Sequence, residues 1–205
     1  MIYIVRHGET VWNLKKRKQG QKDSPLTLKG INQAIDTAAL LKNQIGNNNI
    51  SKFKIVISPQ WRCQQYASII CEQLGLDFMS CIFEENLREH CFGLWEGKTE
   101  KEIEVNFPGY LERRYRKENY WNYIVPMGES YELLSKRVSF VLNKYEKQNI
   151  IYICHEMVSK VMRGNLMNLT PEFVLPLAHN QKTIYCYEKK ELKTLYHLSA
   201  NSELK

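Results

Sequence analysis

The chain has 205 residues, 43% apolar and 25% charged, with 29 Lys and Arg against 22 Asp and Glu, a formal charge of +7. These proportions fit a globular protein, and the length fits one α/β domain that buries a single sizeable core. No apolar run approaches the ~20 residues of a membrane span, and the positive balance favours anionic partners without choosing among nucleic acid, membrane surface and phosphorylated metabolites.

In chain order, residues 2–5 (IYIV) predict a short buried strand that ends in Arg6 and His7. Thr27 opens a helix whose face carries Leu28, Ile31, Ala34, Ile35, Ala38, Leu41 and Ile45, stopping at GNNN. Residues 54–58 (KIVIS) predict a second buried strand, with Pro59 introducing a helix to about Leu74–Gly75. Residues 77–84 read as a third, weaker strand. A capping box from Thr99 to Glu102 starts a short helix that stops before Pro108. Ser130 begins an amphipathic helix, residues 149–154 (NIIYIC) form a strong strand, and a helix follows to about Asn168. Residues 183–188 read as a last strand, with one more expected over 192–198. Strands alternating with helices predict an α/β fold: three layers, α/β/α, around a mainly parallel central sheet. About residues 88–128 lack a strand pattern and are dense in aromatics and charges. They read as a helical insertion over the sheet, lid-like in position, within a single domain spanning 1–205.

Ligands of open α/β sheets bind outside the carboxyl ends of the strands. Arg6, His7 and Gly8 follow the first strand, Ser58, Pro59 and Arg62 the second, and His155 the strand IIYIC. That collection suits a phosphoryl group. Arginine presents a planar fork to its oxygens, Gly8 permits close approach of backbone N–H groups, and an imidazole among cations stays neutral and nucleophilic. Phosphoryl transfer needs mostly positioning and neutralisation of charge.

RHGET at 6–10, WN at 12–13, QG at 19–20 and DSPLT at 23–27 resemble the histidine phosphatase superfamily, also called phosphoglycerate mutase-like. SPQWRCQQYA (58–67), LREHCFGLWEG (87–97), PMGES (126–130) and CHE (154–156) continue the resemblance. It implies His7 as the phosphate-accepting nucleophile, Arg6 and Arg62 on the phosphoryl oxygens with His155 donating to one of them, and Glu89 as general acid and then base. Glu84, Glu85 and Glu96 are competing carboxylates nearby; the motif position selects Glu89, and a structural role is expected for Glu96. Asn13, Gln19 and Gly20 correspond to family positions around the pocket, and ordinary loop hydrogen bonding is the other reading of the first two. The family carries Gly after its second His, where this chain has Glu156. This carboxylate either enters the substrate site or points outward and favours the helix N-terminus.

The resemblance implies a metal-independent phosphatase of the small-molecule branch, similar to broad-specificity and α-ribazole-5′-phosphate phosphatases, with no cofactor and no metal site. A phosphoglycerate mutase and a non-catalytic binding member are the alternatives. The expected partner is a small phosphorylated metabolite, not nucleic acid or membrane. KKRK (15–18) invites a nucleic-acid or nuclear-targeting reading but falls between WN and QG, where it reads as a solvated basic rim. YLERRYRKENYWNY (110–123) is open between a lid stacking on a ring-bearing substrate and a helix packing its aromatics with arginines in water. The six cysteines contain no C-x-x-C pair, and residues 2–5 are too short for a secretory signal, so reduced thiols in a cytoplasmic protein are expected. No pattern reports the oligomeric state.

Overall fold

The computed structural model describes residues 1–116 and 118–197. Its regular elements are β1 (Ile2–Arg6), α1 (Val11–Leu14), α2 (Leu28–Ile45), β2 (Lys54–Ile57), α3 (Trp61–Leu74), β3 (Ile82–Phe83), α4 (Glu100–Asn106), α5 (Tyr110–Tyr115), α6 (Tyr131–Lys144), β4 (Ile150–Cys154), α7 (Glu156–Leu166), α8 (Pro171–Val174), β5 (Thr183–Glu188) and β6 (Glu191–Tyr196). Among the described residues six strands form one sheet in the order β3-β2-β4-β1-β5-β6. β3, β2, β4 and β1 are mutually parallel, and β5 and β6 are antiparallel additions at one edge.

Side chains of successive strand residues point to opposite faces, and both faces of this sheet are covered. Tyr3 and Val5 of β1 join a core with Ala38 and Leu41 of α2 and Tyr66 and Ile70 of α3. Ile4, between them, joins the opposite core with Leu134 and Val138 of α6 and Val158 and Val161 of α7. Two-sided burial explains why β1, β2 and β4 read as continuous apolar runs rather than alternating ones. Each fully buried aliphatic side chain contributes about 1.5–3 kcal/mol.

Three local departures from the expected elements have identifiable causes. The strand expected over 77–84 is confined to Ile82–Phe83, because the Asp77 side chain accepts the Met79 N–H at 2.8 Å and winds Phe78–Ser80 into a 3-10 turn. The strand expected over 192–198 is β6, Glu191–Tyr196, and residue 198 lies outside the described residues. β5 and β6 form a hairpin through Lys189 and Lys190, both with positive φ (51° and 65°). Such a two-residue turn matches strand twist but normally carries Asn or Gly, so two lysines gave no hairpin signal. α1, unexpected and one turn long, is closed by a reciprocal capping box between Thr10 and Asn13.

The 88–128 segment is helical, as expected, with α4 capped by Thr99 and Glu102. It has its own small core of Phe92, Trp95, Ile103 and Val125. Among the described residues the 110–123 stretch contributes none to the large cleft described below. Instead the Arg114 guanidinium is buried in a cage of rings, 5.2 Å from Phe92, 5.6 Å from Trp95, 5.5 Å from Tyr120 and 5.8 Å from Tyr131. The packing reading of that stretch therefore describes it, with the correction that one arginine is inside. All six cysteines are free, and no described helix is long and apolar enough to cross a membrane.

Candidate active site

The register of the parallel strands builds the site. Arg6 at the end of β1 lies beside Cys154 at the end of β4, and Ile57 of β2 lies beside Ile153. The ladder runs one residue further on each side: His7 N–H donates to Cys154 O and Ser58 N–H to Ile153 O, both at 3.0 Å. His7, Ser58 and His155 are thereby forced together. The His7 and His155 rings are 5.3 Å apart, and His155 Nε2 is 2.7 Å from Ser58 Oγ.

The tautomer of His7 follows from its neighbours. Its Nδ1 lies 2.8 Å from the Gly8 carbonyl oxygen, which can only accept, so Nδ1 carries the proton. Nε2 is left with its lone pair, facing the Arg62 Nε–H at 3.2 Å. Burial, then the charges of Arg62 and Arg6, hold the His7 pKa well below its ordinary value. The imidazole is therefore neutral and nucleophilic at neutral pH. Gly8 is needed here for packing: a Cβ would collide with the backbone of Gly30 and the Tyr66 ring.

Arg62 is fully buried at the start of α3. Its NH1 donates to Lys22 O (2.8 Å) and pairs with Asp23 Oδ1 (2.6 Å), and its NH2 donates to Gly20 O (2.8 Å). Asp23 also accepts the Trp61 and Arg62 amides, capping α3 from a distant loop. Gly20, at φ +55°, could not carry a side chain without meeting the Glu96 carboxylate. Glu96 itself accepts the Gln21 and Phe92 amides, tying the 19–24 loop to the 88–128 segment.

Glu89 is buried with its carboxylate over the first turn of α7. Oε1 accepts from His90 N (2.9 Å) and Val158 N (3.4 Å), and Oε2 from Met157 N (3.3 Å). Burial nonetheless dominates these bonds and raises its pKa. Its backbone is fixed by Gln60, whose side chain accepts Glu89 N–H at 2.6 Å and donates to Gly20 O at 2.9 Å. Arg137 of α6 holds the preceding chain with all its nitrogens: NH1 on Asn86 O and Arg88 O, NH2 on Glu89 O and Glu129 Oε1, and Nε on Glu129 Oε2. Arg137→Ala should therefore cost about 2–4 kcal/mol, since it strips a mostly buried carboxylate of its counter-ion and takes a charged donor from three carbonyls. Denaturant unfolding measures this, and an unchanged midpoint would contradict it.

Arg6, His7, Asn13, Gln19, Gly20, Arg62, Glu89 and Glu156 all line one cleft of about 720 Å³. His155 is buried behind it. Asn13 is engaged through Oδ1 with Thr10 and Gln181, and Gln19 through Oε1 with Ser24, so their carbonyl oxygens serve the loops. Glu156 does not point away: its Oε2 pairs with Arg6 NH2 at 2.9 Å inside the cleft. Arg6 also donates through NH1 to His179 O at 2.6 Å, while its Nε is buried with no partner among the described residues. The 15–18 run stands at the cleft mouth, where Arg17 pairs with Glu102 and Lys18 with Glu100.

Asp23, Gln60, Arg137 and His179 position the site and have no role in the sequence reading, which places Ser58 only as a residue following the second strand. The His179 ring is locked between Ser159 Oγ (2.6 Å) and Thr183 O (3.0 Å), which aims its carbonyl at Arg6. Burial lowers all five histidines, His179 to about 3 and His7, His90 and His155 well below the ordinary 6.5. The unfolded chain takes up these protons near pH ~6.5, whereas the folded one resists them. Stability is thus present above that value and lost as pH falls from it toward about 3. Thermal melts across this window should decline steadily, and a flat profile would contradict neutral buried imidazoles.

A family model for the histidine phosphatase superfamily (branch 1) matches residues 2–199. Proteins described as probable phosphoglycerate mutase GpmB from Escherichia coli strains are 36% identical over 141 residues, 69% of this chain. The chain spans 60% of the length of those relatives. Among solved structures, the fold is similar to the alpha-ribazole phosphatase of Shigella flexneri, with a TM-score of 0.75 and 23% identity over 96% of this chain and 95% of that one. It is equally similar to the mycobacterial glucosyl-3-phosphoglycerate phosphatase Rv2419c, with a TM-score of 0.75 and 23% identity over 95% and 96%.

Proposed function

The chain belongs to the histidine phosphatase superfamily, branch 1, and on that premise we propose that it hydrolyses small phosphate monoesters through a phosphohistidine on His7. The observation that carries this reading is the His7 ring, with Nδ1–H held by Gly8 O and the Nε2 lone pair turned to Arg62. In the first step Nε2 attacks phosphorus and the bond to the leaving oxygen breaks. Glu89, whose acid form burial favours, protonates that oxygen. The imidazolium created keeps its Nδ1–H on Gly8 O. In the second step the Glu89 carboxylate takes a proton from water, whose oxygen attacks phosphorus, and the N–P bond breaks to return neutral His7. Arg6 and Arg62 carry the charge neutralisation that phosphoryl transfer demands.

The names of the two solved structures, both phosphatases of small phosphate esters, favour water as the acceptor and a small phosphorylated metabolite as substrate. A mutase reading is favoured by the GpmB relatives. A panel of phosphosugars, phosphoglycerates, nucleotides and α-ribazole phosphate separates them. Release of orthophosphate without isomerisation is expected. Bisphosphate-primed conversion of 3- to 2-phosphoglycerate, with no hydrolysis elsewhere, would establish the mutase instead. Ligand-induced thermal stabilisation with no turnover of any ester would leave a binding protein.

A further inference from the structure

Glu156 occupies the arginine that the phosphoryl group needs. Its carboxylate pairs with Arg6 at 2.9 Å, and both side chains keep some exposure to the cleft, 14% for Arg6 and 29% for Glu156. Arg6 shows the mark of an unfinished site, a buried Nε–H without a partner among the described residues. A phosphoryl group on Arg6 would set its negative oxygens against the Glu156 carboxylate, so the two anions compete for the guanidinium.

One turn along α7 stands Lys160, at i+4 from Glu156. Its ammonium has no hydrogen bond or ion pair among the described residues, and its one close partner is the Tyr131 ring, 6.0 Å from Nζ. The residue is only 7% exposed. A cation on so enclosed a side chain, with no counter-ion in place, gains from acquiring one. Burial lowers its pKa, and among the charges acting on it the leading one is Glu156. Glu followed by Lys at i+4 is the favourable order for a helical ion pair.

We infer that Glu156 is an exchangeable internal ligand, bound to Arg6 when the site is empty and moved to Lys160 when a phosphoryl group arrives. This rests on the reading of the cleft as a phosphoryl site. Lys160 is then a positioning residue that touches no substrate. Its role is to stabilise the arrangement with Arg6 free. Apparent phosphate affinity is the intrinsic affinity scaled by the fraction of molecules in that arrangement. The same exchange, run backwards, lets Glu156 displace product orthophosphate from Arg6.

The test is a thermodynamic cycle on the full chain, with orthophosphate binding read by calorimetry. Glu156→Gln should bind orthophosphate about tenfold more tightly, because the competitor is gone. Lys160→Met should bind about threefold or more weakly, and Lys160→Arg should restore wild-type affinity. In the Glu156→Gln background Lys160→Met should have no effect, since the carboxylate it serves is absent. Lys160→Gln is run alongside, so that a folding defect in one variant does not decide the outcome. Simple loss of a positive charge would weaken binding equally in both backgrounds, and that additive result would overturn the inference while leaving the phosphatase reading intact. If the unmodified protein neither binds orthophosphate nor hydrolyses any ester, both fail together.

Discussion

His7→Asn is expected to lower kcat on every substrate by at least about 10⁴-fold, because it removes the atom that in the proposed mechanism forms the covalent bond to phosphorus. His155 is 5.3 Å away ring to ring, but its Nε2 is committed to Ser58 and it lies behind the cleft rather than in it. Arg6 and Arg62 survive the substitution, so orthophosphate binding should persist. Loss of turnover with retained binding is the signature of a missing nucleophile rather than a collapsed pocket. A residual kcat within about tenfold of wild type would mean that water attacks the ester directly.

Glu89→Gln is the second large effect, and its size should depend on the leaving group. Alkyl phosphates, whose alkoxide needs a proton as it departs, should lose about 10²–10⁴-fold in kcat. p-Nitrophenyl phosphate, with a leaving group stable as the anion, should lose far less in the first step. The pH dependence has a definite sign. Burial raises the Glu89 pKa, so its acid form persists above the ordinary carboxylate range and is lost as pH rises through the raised value. The rate on alkyl esters should therefore fall on the alkaline side, and the glutamine variant should lack that limb. Equal losses on alkyl and aryl esters would assign the proton transfer to another group.

The parts of the site carried by strand ends were readable because strand ends are readable. IYIV, KIVI and IIYIC are buried on both faces, so their apolar runs announce where they stop, and Arg6, His7, Ser58 and His155 are the residues that follow or finish them. The residues that hold those groups in place left no such trace. Arg137 reaches back to carbonyls 48 to 51 positions away, Asp23 and Gln60 act on partners 29 to 40 positions away, and His179 meets Arg6 across 173. Such contacts are fixed by how loops return to the sheet, which no local period encodes. Glu156 was visible as an oddity but not as a contact, since one χ rotation separates a helix-capping carboxylate from one paired with Arg6. The 110–123 stretch misled in its charges. Arginines between tyrosines read as a wet face, yet Arg114 turns inward because four rings offer it the electrostatic attraction that water would. The third strand was overlong in the reading because Asp77 competes locally for the backbone.

Passage of the phosphoryl group through His7, as proposed, leaves a covalent trace. The most direct measurement is rapid acid-free quenching during turnover of a ³²P-labelled ester, followed by peptide mapping. A base-stable, acid-labile label is expected on the peptide containing residues 6–10, on Nε2 of His7, and is absent from His7→Asn. Undiminished label in His7→Asn, or hydrolysis by the wild type with no label at any quench time on an ester whose second step is slow, would contradict it.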